Sequence, residues 1–242
     1  MTRDDRKTPA SAPDKAPTVQ SSSADISNFL SQVKALGPAG NGASGKLIFA
    51  LDATLSRQPT WDMALSLQAD MFKEAGRVGK LAMRLIYYRG FNECRATGWI
   101  TDTAQLAALM GRIACVGGKT QIGRILADAR REASASGVRA LVFVGDAMEE
   151  DIDDLCARAG ELGLLKVPCF MFQEGHDADA ERAFREIARL TGGAWCRFDP
   201  GSAAQLRELL RAAAAYAAGG REALKQLSSA SPGASLLLGQ MR

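Results

Sequence analysis

Four short, nearly continuous apolar runs constrain this chain more than any other feature. They are Lys46–Leu51 (KLIFAL), Leu81–Tyr88 (LAMRLIYY), Ala140–Val144 (ALVFV) and Val167–Phe172 (VPCFMF). Each has the length of a strand, and an uninterrupted apolar run of that length marks a strand buried on both faces. Pro168 argues that the last of them starts late, because proline cannot donate to a sheet ladder. Stretches of helical period lie between the runs: Pro59 to Ala75, Thr103–Ala114 before Gly117-Gly118, Gln121–Ser136 before Gly137, and an acidic segment from Glu149 to Leu162. A helix over Ala178–Leu190, a short strand at Ala194–Phe198 and a helix over Ala203–Leu227 follow. Arg89–Thr101, with Gly90 and Gly98, reads as a short edge strand in a hairpin with the second run. Strands alternating with helices require right-handed crossovers, so the expected fold is α/β: an open, mostly parallel central sheet, helices on both faces, and one short antiparallel edge strand.

The flanks differ in character. Residues 1–24 are polar, rich in Ser, Pro and Ala, and without periodicity, which predicts a disordered tail with no secretory h-region. Ile26, Phe29, Leu30, Val33 and Leu36 recur at helical spacing, so 25–44 reads as a short helix and linker, and 45–227 as the folded domain. The stretch 228–242 is small and polar apart from Leu236-Leu237-Leu238, and is expected to fray as a C-terminal tail. No apolar run approaches the ~18 residues that span a bilayer, and the formal net charge of +3 is scattered rather than gathered in a basic stripe. These features argue against membrane insertion and nucleic-acid binding and predict a cytoplasmic protein. Cys94, Cys115, Cys156, Cys169 and Cys196 form no CxxC pair, and the single histidine, His176, leaves them no tetrahedral zinc set. Cys115, Cys169 and Cys196 stand among apolar residues and read as core side chains.

Open parallel sheets bind ligands beyond the carboxyl ends of their strands. Two runs end there in a carboxylate, Asp52 after KLIFAL and Asp146 after ALVFVG, and the Gly-Gly loop between them carries Thr120. In Asp52-Ala53-Thr54-Leu55-Ser56 a carboxylate and two hydroxyls alternate, and in extended chain that spacing sends all three to one side. Two carboxylates and three hydroxyls are hard oxygen donors suited to Mg²⁺ or Mn²⁺.

These residues resemble the von Willebrand factor type A (VWA) family. Its metal-ion-dependent adhesion site (MIDAS) reads Asp-x-Ser-x-Ser, then a Thr, then an Asp, matched here by Asp52, Thr54, Ser56, Thr120 and Asp146. The resemblance runs from Lys46 to about Leu210 and includes the Gly-Gly-x-Thr loop and Thr191-Gly192-Gly193. Thr54 departs from the family's serine, and its methyl group restricts χ1. The resemblance implies a non-catalytic module that grips an acidic residue of a protein partner through a bound divalent ion, with Arg57–Trp61 and Gly117–Gln121 as the rim and Arg57 and Lys119 favouring acidic partners. Intracellular members serve large assemblies, including ring ATPases. This chain has no ATPase motif, so such a partner would be a separate polypeptide.

Other readings are weaker. Gly118-Lys119-Thr120 is no phosphate loop, because Ile113 occupies the place of the required glycine. The run Glu149, Glu150, Asp151, Asp153, Asp154 lacks the glycine and terminal glutamate of an EF-hand and reads as a solvated helix start. A magnesium-dependent phosphatase of the haloacid-dehalogenase type would use Asp52 as nucleophile, but it needs an acid/base carboxylate two residues on, where Thr54 stands. A degenerate scaffold without an ion is the third reading.

Overall fold

Every apolar run becomes a strand, and the strands join in a single sheet. The computed structural model describes residues 45–58, 81–199 and 202–241. The expected tail over 1–24, the helix and linker over 25–44, and the helix from Pro59 to Ala75 lie outside the described residues.

In chain order the elements are β1 (Gly45–Asp52), a 3₁₀ turn (Leu55–Arg57), β2 (Leu81–Arg89), β3 (Glu93–Ala96), α1 (Thr103–Met110), α2 (Ile122–Ser136) and β4 (Ala140–Gly145). Then come α3 (Ile152–Leu164), β5 (Cys169–Glu174), α4 (Ala178–Thr191), β6 (Ala194–Phe198), α5 (Ala203–Ser228) and α6 (Pro232–Gln240). The sheet order is β3-β2-β1-β4-β5-β6. All neighbours are parallel except β2 and β3, which pair antiparallel from Ile86↔Ala96 to Arg89↔Glu93. The fold is therefore α/β with a mostly parallel sheet and one short antiparallel edge strand. β5 begins at Cys169, just after Pro168, whose carbonyl still accepts from Leu141 N.

Period-2 alternation along the strands divides the core in two. On one face Leu47, Phe49 and Leu51 of β1 pack with Val142 and Val144 of β4, beneath α1, α5 and α6. On the other, Ile48 and Ala50 pack with Leu141 and Phe143, beneath α2, α3 and α4. Cys115, Cys169 and Cys196 are buried, as their apolar surroundings predict.

Two segments differ from expectation. α1 stops at Met110 rather than Ala114: Gly111 is its C-cap, and Arg112 N and Ile113 N turn to the tighter i→i+3 bonds with Leu109 O and Met110 O. The stretch from Ser228 does not fray: α6 docks on the same core as α5, with Ala234 and Leu237 fully buried. Its start is set by Ser231, whose side chain accepts from Ala234 N, and by Pro232 in the first turn. Gln240 near its end accepts a hydrogen bond from the Trp195 amide on β6 (3.0 Å). Among the described residues no helix is long and apolar enough to cross a membrane.

Candidate functional site

Sheet order reverses between β1 and β4: from β1 the chain moves outward to β2, and β4 returns on the other side. That reversal opens a crevice at the carboxyl ends of β1 and β4. Asp52 is the last residue of β1 and Asp146 follows Gly145, the last of β4.

Asp52 is fully buried. Its Oδ1 accepts from Thr54 N (2.8 Å) and its Oδ2 from the Tyr88 hydroxyl (2.9 Å). The first bond closes an Asx-type turn that stops the strand. Ser56 therefore sits in the 3₁₀ turn, not on extended chain as the alternation predicted. The turn still brings the Thr54 and Ser56 hydroxyls to 3.0 Å. Thr54 is buried and Ser56 exposed, so the pair runs from the crevice wall to its mouth.

Thr120 arrives by backbone stitching. Val116 N donates to Ala53 O (3.0 Å) and Lys119 N to Gly90 O (3.1 Å), which ties the loop to the exits of β1 and β2. Gly118 makes this approach sterically feasible: a Cβ there would lie 2.0 Å from Gly90 O. The Thr120 hydroxyl accepts from Glu149 N (3.0 Å), and Thr120 N donates to the Glu149 carboxylate (3.1 Å). Glu150 accepts from Gly123 N (2.9 Å) and from Ile122 N, satisfying the start of α2. The acidic run thus has two uses. Asp151 caps α3, while Glu149 and Glu150 precede that helix and fasten the Thr120 loop and α2.

The structure also changes the reading of Arg57. Expected on the rim, it is fully buried and ion-paired with Glu174 at the end of β5. Burial pulls its guanidinium below the ordinary value, while the charges of Asp146 and Asp52 push it back up. Burial also raises Asp52, to about 6; the Thr54 hydrogen bonds and Tyr88 oppose the rise and Asp146 adds to it. β1 and β4 are neighbours with Leu51 opposite Val144, so Asp52 and Asp146 leave the sheet at adjacent strand ends. Asp146 Oδ1 is buried with no hydrogen-bond partner among the described residues.

Sequence reasoning missed Tyr88, Glu149, Glu150 and Glu174 as members of this cluster. Tyr88 ends an apolar run and Glu174 stands two residues past another, much as Asp52 follows its own, and that position was the available signal. Thr191-Gly192-Gly193 is structural: the Thr191 hydroxyl accepts from Cys169 N (3.0 Å), and a Cβ at Gly193 would lie 2.0 Å from Cys169 O. His176 is exposed, with Nε2 3.6 Å from Asp199.

Among the described residues no three His, Cys, Asp or Glu side chains group as a metal cluster. The strand-end site differs in kind, since three of its five residues offer hydroxyls and only two are carboxylates. Its donor chemistry fits a small hard cation: carboxylate and hydroxyl oxygens keep further lone pairs after one hydrogen bond, and the Asp146 oxygen is uncommitted.

No family model matches the chain, and no curated protein matches it by sequence. Solved structures do match it in fold. A von Willebrand factor type A protein from Catenulispora acidiphila superposes with a TM-score of 0.59 at 19% identity, covering 72% of this chain and 44% of that one. Proximal thread matrix protein 1 from the mussel byssus, solved with a zinc-occupied MIDAS motif, gives 0.59 at 14% identity, covering 71% of this chain and 46% of that one. The von Willebrand factor domain of the type V pilus tip protein Mfa5 from Porphyromonas gingivalis gives 0.56 at 12% identity, covering 71% and 95%. The chain thus spans less than half the length of the first two. Its fold is VWA-like.

Proposed function

We propose that the protein is a non-catalytic VWA-type interaction module that holds one divalent cation, Mg²⁺ or Mn²⁺, at the ends of β1 and β4 and uses it to engage an acidic side chain of a protein partner. The observation that carries this reading is the buried Asp146 Oδ1, without a hydrogen-bond partner among the described residues and next to the end of β1 at the switch point of the sheet. Thr54, Ser56 and Thr120 would complete the donor set. Hydroxyl-rich coordination leaves the ion's charge incompletely offset, so a partner's carboxylate would find a strong charge-assisted contact. The zinc-occupied MIDAS of the mussel protein supports a cation at this place in the fold.

The surroundings suit a protein partner. Leu55 and Val116, on the two loops that frame the crevice, are 56% and 43% exposed, and Phe91 in the β2–β3 turn is 70% exposed. Apolar side chains around a polar centre are a common composition for a recognition surface. A hydrolase reading fares worse. Asp52 is fully buried with both oxygens hydrogen-bonded, which disfavours it as an attacking nucleophile. A separate ring ATPase is one partner that the family resemblance makes reasonable.

Calorimetric titration of Mg²⁺ and Mn²⁺ into chelator-treated protein tests the proposal, beside Asp146→Asn and the exposed-site variant Ser56→Ala. One saturable site, weakened at least ~10-fold in both variants, is the expected result. A folded protein that takes up neither ion would sink the ion-bridged mechanism.

A further inference from the structure

Arg57 lies just past β1, and its guanidinium pairs with Glu174 at the end of β5. Between those strands stands β4. Neighbouring strands are about 4.8 Å apart, so a side chain reaching from the exit of β1 to the end of β5 must lie over the end of β4, where Asp146 follows Gly145. The side chain is fully buried and so cannot be a solvated rim residue. It pairs with Glu174 and lies in the field of two more strand-end carboxylates, Asp146 and Asp52, with a single positive charge. Glu149 and Glu150 do not compete for it in the same way, because backbone amides already satisfy them.

We propose that Arg57 is the resident counter-ion of this site: it holds the strand-end carboxylates of β1, β4 and β5 together when no divalent ion is bound, and so opposes the binding of one. Carboxylates removed from water beside one another are costly unless a positive charge is near. The guanidinium supplies that charge, which lets the crevice stay formed without a metal. The same charge repels an incoming divalent ion. At an effective dielectric of about 20, a unit charge several ångströms from a divalent ion weakens its binding by more than ~10-fold. Ion affinity is then set by a competition inside the protein, as well as by the five oxygen-bearing residues of the motif. This inference concerns the regulation of the proposed cation site, and its second arm rests on that reading; the first does not.

The first arm is a double-mutant cycle in chelator, with thermal unfolding of wild type, Arg57→Gln, Asp146→Asn and the double variant. The expected result is that Arg57→Gln lowers Tm, and lowers it by clearly less where Asp146 is already Asn, because fewer carboxylates then need the counter-charge. Arg57→Lys, which keeps the charge, should retain more of the wild-type Tm than Arg57→Gln. Should Arg57→Gln fail to fold, the cycle is run on a Glu174→Gln background, where the guanidinium's own partner no longer needs a counter-charge. A loss of the same size in both backgrounds would overturn the proposal. The second arm titrates Mg²⁺ into wild type and Arg57→Gln. Binding tighter by ~10-fold or more in the variant is expected, and equal or weaker binding would overturn the proposal. If neither protein binds Mg²⁺ while the cycle still shows coupling, Arg57 stands as the site's resident cation and the ion-bridged function fails instead.

Discussion

At Asp52 two demands oppose each other. Burial disfavours its charge and pushes the carboxyl from 3.8 to about 6, and Asp146 adds to that rise, while Thr54 and Tyr88 donate hydrogen bonds that favour the ionised form. A carboxyl whose folded pKa exceeds its unfolded one holds its proton more tightly in the native state. Its contribution to stability is therefore complete below about pH 4 and is lost as pH rises through about 6. For the chelated protein, the free energy of unfolding should fall across that window by on the order of 2–3 kcal/mol from this group. Urea unfolding at several pH values measures the fall, and Asp52→Asn, which cannot titrate, should flatten it. An unchanged slope in the variant would assign the effect to another group. Asp52 was legible as a site residue because it ends an apolar run. Arg57 was not, because its burial depends on Glu174 at the far side of the crevice, and adjacency in sequence placed it on the rim instead.

Among the elements, α6 shows where local pattern falls short. Leu236-Leu237-Leu238 has no period that distinguishes a docked helix from a stray apolar triplet. What settles it is the Ser231–Pro232 start together with Ala234 and Leu237, three apart and both fully buried against the α5 side of the core. Leu237→Ala should cost about 2–5 kcal/mol in urea unfolding. Leu236, 46% exposed, should change stability by no more than ~0.5 kcal/mol when replaced by alanine. Equal effects at the two positions would mean that α6 is not docked as described. The acidic run before α3 was legible in part: Asp151, Asp153 and Asp154 are the exposed helix start that the pattern predicts, while the contacts of Glu149 and Glu150 were not readable. Charged residues at a helix start usually face solvent, and only the packed fold brings α2 close enough for Glu149 and Glu150 to cap its first turn and the loop before it.

Taken whole, the molecule was legible wherever burial on both faces leaves a continuous apolar run, which is why the strands and their parallel sense could be read in advance. Strand order was less accessible, since a run of Leu, Val and Phe does not specify its neighbour. The rule that ligands sit at strand carboxyl ends still led to Asp52 and Asp146, and the order β2-β1-β4 shows why those two ends face one crevice. The two borders of the sheet are finished differently. β3 is a four-residue strand bearing Glu93 and Arg95, and a short charged border is a poor template for another chain. β6 is less guarded by its own residues, and the Gln240 side chain instead caps its outward Trp195 amide. Removing α6 would therefore do more than weaken the fold, because it would bare a backbone edge open to intermolecular strand pairing. A chain shortened after Ser228 should self-associate as its concentration rises, visible by light scattering, while full-length Gln240→Ala should show the same tendency in milder form. The terminal helix is then as much a guard of colloidal solubility as a part of the core.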